Sequence, residues 1–415
     1  MRKAIKYAVL ALFLLLGFIY LNNNPRFVKK TVQKPWFLAH RALGQTFPTA
    51  GLTNETCTAR RIYPPDHPYL ENTIPAMEAA FAAGAAVVEL DIHPTRDGQF
   101  AVFHDWTLDC RTNGKGVTRN HTMAELKQLD VGYGYTADNG KTYPFRGKGI
   151  GLMPSLQEVL NHFPDRQFLI NIKSNDPAEG EQLAKHLATL PEERLAQLAV
   201  YGGDRPIAVL QKRLPGLRVM SKATLVRSLL AYLAIGWTGY IPASCRNTQL
   251  HIPEKYAPWL WGWPDRFLQR MEAVNTRVIL VAGNGKFSEG FDTAEDIKRI
   301  PPGYSGGIWT NRVDKIAPFS RRINNSNFLL STFYIIPGKN QRTVFRKGEA
   351  NEERPNFSGC IAGFSNHTSH RDLHANYETV GFYLPLRPGS HQPDVAEKAQ
   401  YTSGDPGRAW SYQLV

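Results

Sequence analysis

The chain has 415 residues, and its 49 Lys and Arg against 36 Asp and Glu leave a formal net charge of +13. A hydrophobic share of 42% excludes a chain that is disordered throughout, and four cysteines are too few for a disulfide-dense scaffold. The positive charge suits nucleic acid, an anionic membrane or a phosphorylated substrate. Because the sequence has no zinc-finger spacing, recognition helix or arginine-rich arm, we do not expect nucleic acid as a partner.

The amino end carries an uncharged apolar run over residues 7–21 that follows three cations, Arg2, Lys3 and Lys6. As a helix this run spans about 22 Å, short of the roughly 30 Å hydrocarbon core, but the two residues before Lys6 extend it and Lys6 can snorkel. The polar residues 22–24 do not provide the small side chains of a signal-peptidase site. We therefore predict that residues 1–23 are an uncleaved signal anchor rather than a cleaved leader, with the remainder periplasmic or extracellular.

From about residue 35 to 315, short apolar runs alternate with amphipathic stretches. Strands that alternate with helices predict parallel β/α units, and one closed (β/α)₈ barrel of the TIM type fits a segment of this length. A doubly wound open sheet is the alternative, but the sequence has no glycine fingerprint of a dinucleotide site. The eight predicted strands are residues 36–39, 87–92, 168–172, 198–201, 217–220, 248–252, 277–281 and 307–310. The clearest helical patterns are residues 74–83, 177–190, 223–235, 264–275 and 293–300.

An extra strand candidate over residues 100–103 follows Asp97-Gly98, a dipeptide typical of hairpin turns. It predicts a small insertion after the second barrel strand. Beyond Pro318 the composition shifts to Asn, Ser, Gly, Arg and His with little periodicity. We therefore expect three segments, which are the anchor over 1–23, the barrel over 24–320 and a poorly ordered appendage over 321–415.

Polar residues interrupt the predicted strands where barrel enzymes carry their active sites, at the carboxyl ends. Glu89 and Asp91 lie two residues apart in the second strand, so both point to the same face, into the barrel. Two buried carboxylates repel each other unless a cation lies between them, and hard oxygen ligands suit Mg²⁺, Ca²⁺ or Mn²⁺. Asn171 and Lys173 repeat this spacing on the following barrel strand, where the lysine can hold a phosphate.

Three further motifs occupy similar positions. His40-Arg41 ends the first strand, His104-Asp105 ends the extra strand, and Glu71-Asn72-Thr73 opens the first helix of the barrel. Taken singly, each has a plain structural interpretation as a surface pair, an ion pair or a helix cap. Their shared placement at strand ends and at a helix start favours a functional site.

In this order the motifs resemble the glycerophosphodiester phosphodiesterase family, over about residues 36–318. The family pattern consists of His-Arg-Gly, Glu-Asn-Thr, Glu-x-Asp-x-x-x-Thr-x-Asp-Gly and His-Asp. Here it reads as residues 40–42, 71–73, 89–98 and 104–105, continued by 112–114 and by the closing strand 308–311.

The resemblance implies a TIM-type barrel that hydrolyses glycerophosphodiesters to glycerol phosphate and an alcohol. It makes His40 and His104 the acid–base pair, a role that suits imidazole because its pKa lies near neutrality. Arg41 and Lys173 would bind the phosphoryl oxygens. In the family the glycerol hydroxyl is the first nucleophile, and water then opens the resulting cyclic phosphate.

The resemblance also implies a divalent cation, Ca²⁺ or Mg²⁺, as the cofactor. Glu89 and Asp91 would hold it, with Glu71 beside them. The third-strand Glu-x-Lys of the family reads here as Asn171-Ile172-Lys173, so a neutral amide replaces a common carboxylate ligand. Because an amide oxygen brings no charge, we expect a weaker metal site with Asn171 as a neutral ligand.

Two other departures concern the first loop. Ala42 stands where the family has glycine, and residues 43–70 are longer than usual and contain Cys57. This cysteine and Cys110 lie in two loops that flank the predicted site, and we expect them to form a disulfide in an exported domain. Cys245 and Cys360 show no pairing pattern, and none of the four has the short paired spacing of a zinc site.

The favoured interpretation is a membrane-anchored phosphodiesterase acting on glycerophosphodiesters or lysophospholipids. A non-catalytic barrel that binds phosphate or lipid head groups is the first alternative, and retention of both His40 and His104 favours the enzyme. A metal-independent phospholipase C-like barrel is the second, and Glu89 and Asp91 disfavour it.

Overall fold

A computed structural model of the chain describes residues 2–28, 34–53, 56–285 and 289–318. The predicted appendage over 321–415 and Cys360 lie outside this part. Helix α1 (Arg2–Asn23) is the apolar segment predicted at the amino end, with a mean hydropathy of 2.2 and no buried residue. By length and composition it can cross a membrane as an anchor or serve as a signal sequence.

The barrel consists of eight parallel strands, as predicted. The ladder runs β6-β5-β4-β2-β1-β9-β8-β7, and a parallel bridge between Val219 and Thr248 joins its two ends. The Thr248 hydroxyl donates to the Val219 carbonyl at 2.6 Å, so the sheet closes on itself and is not an open doubly wound sheet. In chain order the strands are β1 (Trp36–Ala39), β2 (Ala85–Pro94), β3 (Phe100–Val102), β4 (Gln167–Ile172), β5 (Leu198–Gly202), β6 (Arg218–Met220), β7 (Gln249–Pro253), β8 (Arg277–Val281) and β9 (Gly307–Thr310).

Helices cover the outer face of the strands and bury their apolar sides against it. Local signals set their ends: the Thr73 hydroxyl caps the start of α2, and Gly84, in the left-handed region, ends it. The helices of the barrel region are α2 (Ile74–Ala83), α3 (Met123–Lys127), α4 (Leu156–His162), α5 (Pro177–Leu187), α6 (Glu192–Ala196), α7 (Asp204–Arg213), α8 (Lys222–Ile235), α9 (Asp265–Glu272) and α10 (Ala294–Ile297).

The predicted insertion follows β2. Strand β3 pairs antiparallel with the end of β2, and the segment up to β4 builds a small core of its own around Phe103, Leu108 and Tyr135. The long loop over residues 43–70 packs against that core. The predicted disulfide between Cys57 and Cys110 is confirmed, with Cα atoms 5.6 Å apart, and it ties the loop to the insertion.

Side chains along each barrel strand point alternately inward and outward, and the inward set determines where polar residues can gather. An apolar layer that includes Leu38, Val87 and Trp309 fills the barrel interior. On β2, Glu89 and Asp91 face inward like Val87 and lie two and four residues nearer the carboxyl end. Both carboxylates are fully buried.

Candidate active site

The predicted carboxylates lie beside polar partners on the neighbouring strands. Asp91 is in register with Asn171 of β4, which is in register with Tyr201 of β5. The Tyr201 hydroxyl donates to Glu89 Oε1 at 2.7 Å, and the backbone N–H of Arg41 donates to Glu89 Oε2 at 2.9 Å. Strand β5 and the loop after β1 therefore both contact the Glu89 carboxylate of β2.

Asp91 is held by two amides and two cations. Asn72 donates its side-chain N–H to Asp91 Oδ2 at 3.0 Å, and Asn171 donates to Asp91 Oδ1 at 2.8 Å. Lys173 Nζ lies 3.5 Å from Oδ1, and Arg41 Nε lies 3.6 Å from Oδ2. The predicted phosphate-binding cations thus contact Asp91.

The pKa values of Glu89 and Asp91 shift in opposite directions. Burial and the charge of Asp91 raise the pKa of Glu89 to about 8. Burial also opposes ionisation of Asp91, but Lys173, His104 and Arg41 outweigh it and hold the pKa of Asp91 well below its usual range. Asp91 is therefore ionised, and the repulsion between its charge and the Glu89 carboxylate is not compensated by the cations.

His40 follows β1 and is held as a neutral imidazole. Its Nδ1 lies 2.7 Å from Asn311 Oδ1, and Arg41 Nε donates to its Nε2 at 3.1 Å. Asn311 in turn donates from Nδ2 to Asp292 at 2.9 Å, so its oxygen faces the histidine. These partners assign the proton to Nδ1. Burial and the charge of Arg41 lower the pKa of His40 to about 3.

His104 has a parallel arrangement on the insertion side. Its Nδ1 donates to Asp105 Oδ1 at 2.7 Å, and Arg111 Nε lies 3.1 Å from the other oxygen of Asp105. Burial, Arg41 and Lys173 lower the pKa of His104 well below its usual value. Both predicted histidines therefore have one ring nitrogen held by the protein and lie in the field of the same two cations.

The loops that carry these residues adopt backbone conformations uncommon for residues with side chains. Arg41, Ala42 and Asn72 have φ values of 53°, 67° and 59°. The N–H of Asn72 donates to the carbonyl of Arg41 at 3.1 Å, which joins the two loops. Left-handed backbone in non-glycine residues is typical of functional sites, and Ala42 has it where the family pattern has glycine.

The donor set suits a hard cation only in part. Glu89 and Asp91 are oxygen donors whose mutual repulsion a divalent ion would relieve. Glu71 instead lies 3.3 Å from Arg41 Nη1 and 3.4 Å from Arg111 Nη2, and Asn171 directs its N–H towards Asp91. Within the described ranges, no three His, Cys, Asp or Glu side chains converge as a metal site.

Several residues of this cluster were not predicted from the sequence. His93 lies on β2 two positions beyond Asp91, and the period of two could have revealed it. Tyr201 and Arg111 carried no local signal. Asn311 ends a closing run that was noted, but its contact with His40 joins residues 271 positions apart.

Part of the chain matches a known protein family. Residues 40–212 match the glycerophosphoryl diester phosphodiesterase family. This segment belongs to that family. All eight site residues predicted from the sequence fall within the glycerophosphoryl diester phosphodiesterase segment, whereas Asn311 lies outside it.

Two curated relatives match 25% and 30% of this chain. The chain is 40% identical over 103 residues to a glycerophosphodiester phosphodiesterase of Caldanaerobacter subterraneus subsp. tengcongensis, covering 25% of this chain and 39% of that protein. A Bacillus subtilis glycerophosphodiester phosphodiesterase is 37% identical over 129 residues, covering 30% and 42%. These matches span about two fifths of each relative's length. A crystal structure of the Agrobacterium tumefaciens enzyme has a TM-score of 0.46 and 20% identity, covering 69% of this chain and 99% of that one.

Proposed function

We propose that this protein hydrolyses glycerophosphodiesters to glycerol phosphate and an alcohol. The observation that carries the proposal is the pair His40 and His104, each with Nδ1 on a protein acceptor and both beside Arg41 and Lys173. A site that only binds phosphate needs the cations but not two histidines held in this way. The names of the relatives support the substrate class.

The two histidines supply the proton transfers. Both imidazoles are neutral near pH 7, so one can take the proton of the attacking glycerol hydroxyl. The anionic phosphate of the bound substrate raises the pKa of the other histidine, which then takes up a proton from solvent. As the new P–O bond forms and the bond to the alcohol breaks, this histidine gives its proton to the leaving oxygen. Water then opens the cyclic phosphate with the two roles exchanged, which restores both histidines.

Arg41 and Lys173 are the phosphate ligands in this proposal. Both now face Asp91, and a phosphoryl group between them would accept charge-assisted hydrogen bonds from guanidinium and ammonium groups. Movement of Arg41 onto the phosphate also removes its N–H from His40 Nε2. Substrate binding would thereby free the nitrogen that acts as base.

We propose in addition that Glu89 and Asp91 hold a divalent cation, Ca²⁺ or Mg²⁺. Glu71 and the oxygen of Asn171 are the further ligands that the sequence predicts, after their side chains turn from their present partners. The bound ion would polarise a phosphoryl oxygen as a Lewis acid.

We place the barrel on the non-cytoplasmic side of a membrane that α1 spans as a signal anchor. The cations before the apolar run favour this orientation, and the disulfide between Cys57 and Cys110 suits an oxidising compartment. Lysophospholipids in that membrane are the proposed substrates next to soluble glycerophosphodiesters.

A specific observation supports each of the two competing functions. Asn171 in place of a carboxylate favours a barrel that binds phosphate or lipid head groups without turnover. Arg41 already lies against Asp91 and Glu71, as a built-in cation of a metal-independent, phospholipase C-like enzyme would.

The test is turnover of glycerophosphocholine by the purified full-length chain in detergent, with and without a chelator. We expect choline and glycerol phosphate as products, loss of activity with chelator, and recovery with Ca²⁺ or Mg²⁺. His40→Ala and His104→Ala should each lower kcat by about 10² to 10⁴, whereas the exposed His162→Ala on α4 should leave it unchanged.

The other outcomes separate the candidates. Substrate binding without products would support the non-catalytic barrel. Turnover that chelator leaves intact would support the metal-independent enzyme. Near wild-type activity of either histidine variant would remove that residue from the mechanism.

A further inference from the structure

Helix α8 has an apolar face that points to solvent. Val226, Leu230 and Leu233 follow one another at helical spacing and are 41%, 62% and 38% exposed. A helix on the surface of a soluble barrel normally presents polar residues there. The only charged side chains of α8 are Lys222 and Arg227, both basic and exposed.

Two exposed aromatic residues lie in segments next to the carboxyl end of α8. Tyr240 is 59% exposed and Trp259 is 78% exposed, the latter in the loop after β7. That loop is joined to α8, because Trp261 Nε1 donates to the Leu233 carbonyl at 2.8 Å and the Tyr232 hydroxyl donates to the Trp261 carbonyl at 2.8 Å. Trp and Tyr concentrate where membranes meet water.

The carboxyl end of α1 is bound to the same place. Asn22 and Asn23 donate side-chain N–H groups to the Trp237 carbonyl at 3.0 and 2.9 Å. Arg270 of α9 donates to the Asn22 carbonyl and the Asn23 side chain, both at 3.0 Å, and to the carbonyl of Gly236 at 2.9 Å. The point where the apolar helix would leave a membrane is thus fixed to the end of α8.

We infer that the exposed faces of Val226, Leu230, Leu233, Tyr240 and Trp259 form a lipid-contact surface that lies in the interface of the membrane spanned by α1. The inference rests on the proposed anchor. It adds that the barrel itself lies against the membrane and does not hang from α1 on a loose linker. The apolar part of α1 ends at Leu21, directly before Asn22 and Asn23. The contacts of these two residues with Trp237 and Arg270 therefore hold the end of α8 at the head-group level. Apolar and aromatic side chains at that depth gain free energy from burial in lipid.

A lipid surface fits this face better than a second copy of the chain. The face adjoins α1, whose residues 7–21 are apolar on all sides. Helix α8 carries two basic residues and no acidic one, so two copies of it would repel each other instead of pairing. Lys222 and Arg227 can instead contact anionic head groups. The membrane that receives α1 covers the patch without a further association step.

The experiment uses the full-length chain in nanodiscs of phosphatidylcholine and phosphatidylglycerol, loaded with one copy each. Hydroxyl-radical labelling, read by mass spectrometry and normalised to the unfolded chain, reports the solvent access of Trp259 and Tyr240. Tyr63 and Tyr133, which are 52% and 38% exposed, are internal controls. They belong to the first loop and the insertion at β2, across the barrel from the β6–β7 closure.

We expect at least fivefold lower labelling of Trp259 and Tyr240 than of the controls. Lipids brominated in their acyl chains should quench wild-type fluorescence more than that of Trp259→Phe. Equal labelling of all four residues would overturn the inference, as would protection only in discs that carry several copies, which indicates self-association. Failure of the chain to rise with lipid vesicles in a density gradient would also overturn the inference. Turnover of soluble glycerophosphocholine in the same discs tests the proposed function separately, because neither labelling nor quenching depends on activity.

Discussion

His40 Nδ1 lies 2.7 Å from Asn311 Oδ1, so the first and the last strand of the barrel meet at this histidine. The pairing of β1 with β9 brings them together, and the His40 N–H donates to the Thr310 carbonyl at 2.9 Å. The amide oxygen can accept but not donate a hydrogen bond. It therefore selects the tautomer in which Nε2 is basic.

Asn311→Ala should impair catalysis through His40. Without the acceptor both tautomers are populated and the ring loses its orientation, so we expect kcat to fall about tenfold or more. The hydrogen bond that His40 Nδ1 donates to Asn311 raises the pKa of His40 against burial and Arg41, so its loss should move the acidic limb of the pH–rate profile to lower pH. The kcat at pH 7 measures the first effect, and kcat/KM followed from pH 7 down to pH 3 measures the second. Asn161→Ala, on the exposed face of α4, is the control, and equal profiles for the two variants would contradict this role.

Asn171→Glu should strengthen the metal site. The added carboxylate would lie next to Asp91, because Asn171 Nδ2 is now 2.8 Å from Asp91 Oδ1. Affinity of oxygen sites rises with ligand charge, so we expect a lower dissociation constant for Ca²⁺ or Mg²⁺ and half activity at lower metal concentration. Calorimetric titration of the purified variant measures the affinity without turnover. The control Gln157→Glu adds the same charge on exposed α4.

Two other results for Asn171→Glu would change the role assigned to this residue. Unchanged or weaker metal binding would show that the side chain does not face the cation. Tighter metal binding with reduced turnover would instead indicate that the carboxylate repels the substrate phosphate and that Asn171 is matched to a substrate group.

The double variant Cys57→Ser, Cys110→Ser should be less stable. The bridge closes a loop with a sequence separation of 53, for which chain entropy predicts about 4 kcal/mol of stabilisation. Unreduced peptides of the wild type should show the 57–110 link by mass spectrometry. Urea unfolding of the wild type in reductant should match that of the double variant. Two free thiols in exported protein would contradict the bridge.

His251→Gln should weaken the acid sensitivity of the fold. Burial lowers the pKa of His251 to about 3, and its Nδ1 has no hydrogen-bond partner among the described residues. The unfolded chain takes up a proton at this residue below about pH 6.5, whereas the folded chain does so only near pH 3. Its contribution to the free energy of unfolding is therefore present above pH 6.5 and falls as the pH drops towards 3, by at most about 1.4 kcal/mol per pH unit.

Urea unfolding at pH 7, 6 and 5 tests this expectation for His251. The wild type should lose stability more steeply than the variant as the pH falls. His40, His93 and His104 also have lowered pKa values, so a residual slope should remain in the variant. Parallel curves for the two proteins would show that His251 does not titrate differently in the folded and unfolded chain.

The sequence by itself determined the barrel class, the insertion after β2 and the apolar amino-terminal helix. These features depend on periods of two and 3.6 residues and on alternation along the chain, which short windows contain. The same windows placed Glu89 and Asp91 on one face of a strand. They also placed His40 and His104 near strand ends, where a barrel gathers its functional groups.

Only the tertiary structure decided which groups meet. Whether the sheet closes depended on the bridge between Val219 and Thr248, and the partner of His40 depended on the pairing of β1 with β9. The contact of Tyr201 with Glu89 follows from the register of three strands, and the attachment of α1 depends on Arg270, 248 positions away from Asn22. Such contacts are set by strand order and register in the closed barrel, which no local pattern encodes, because residues far apart in sequence become neighbours only when the whole sheet has formed.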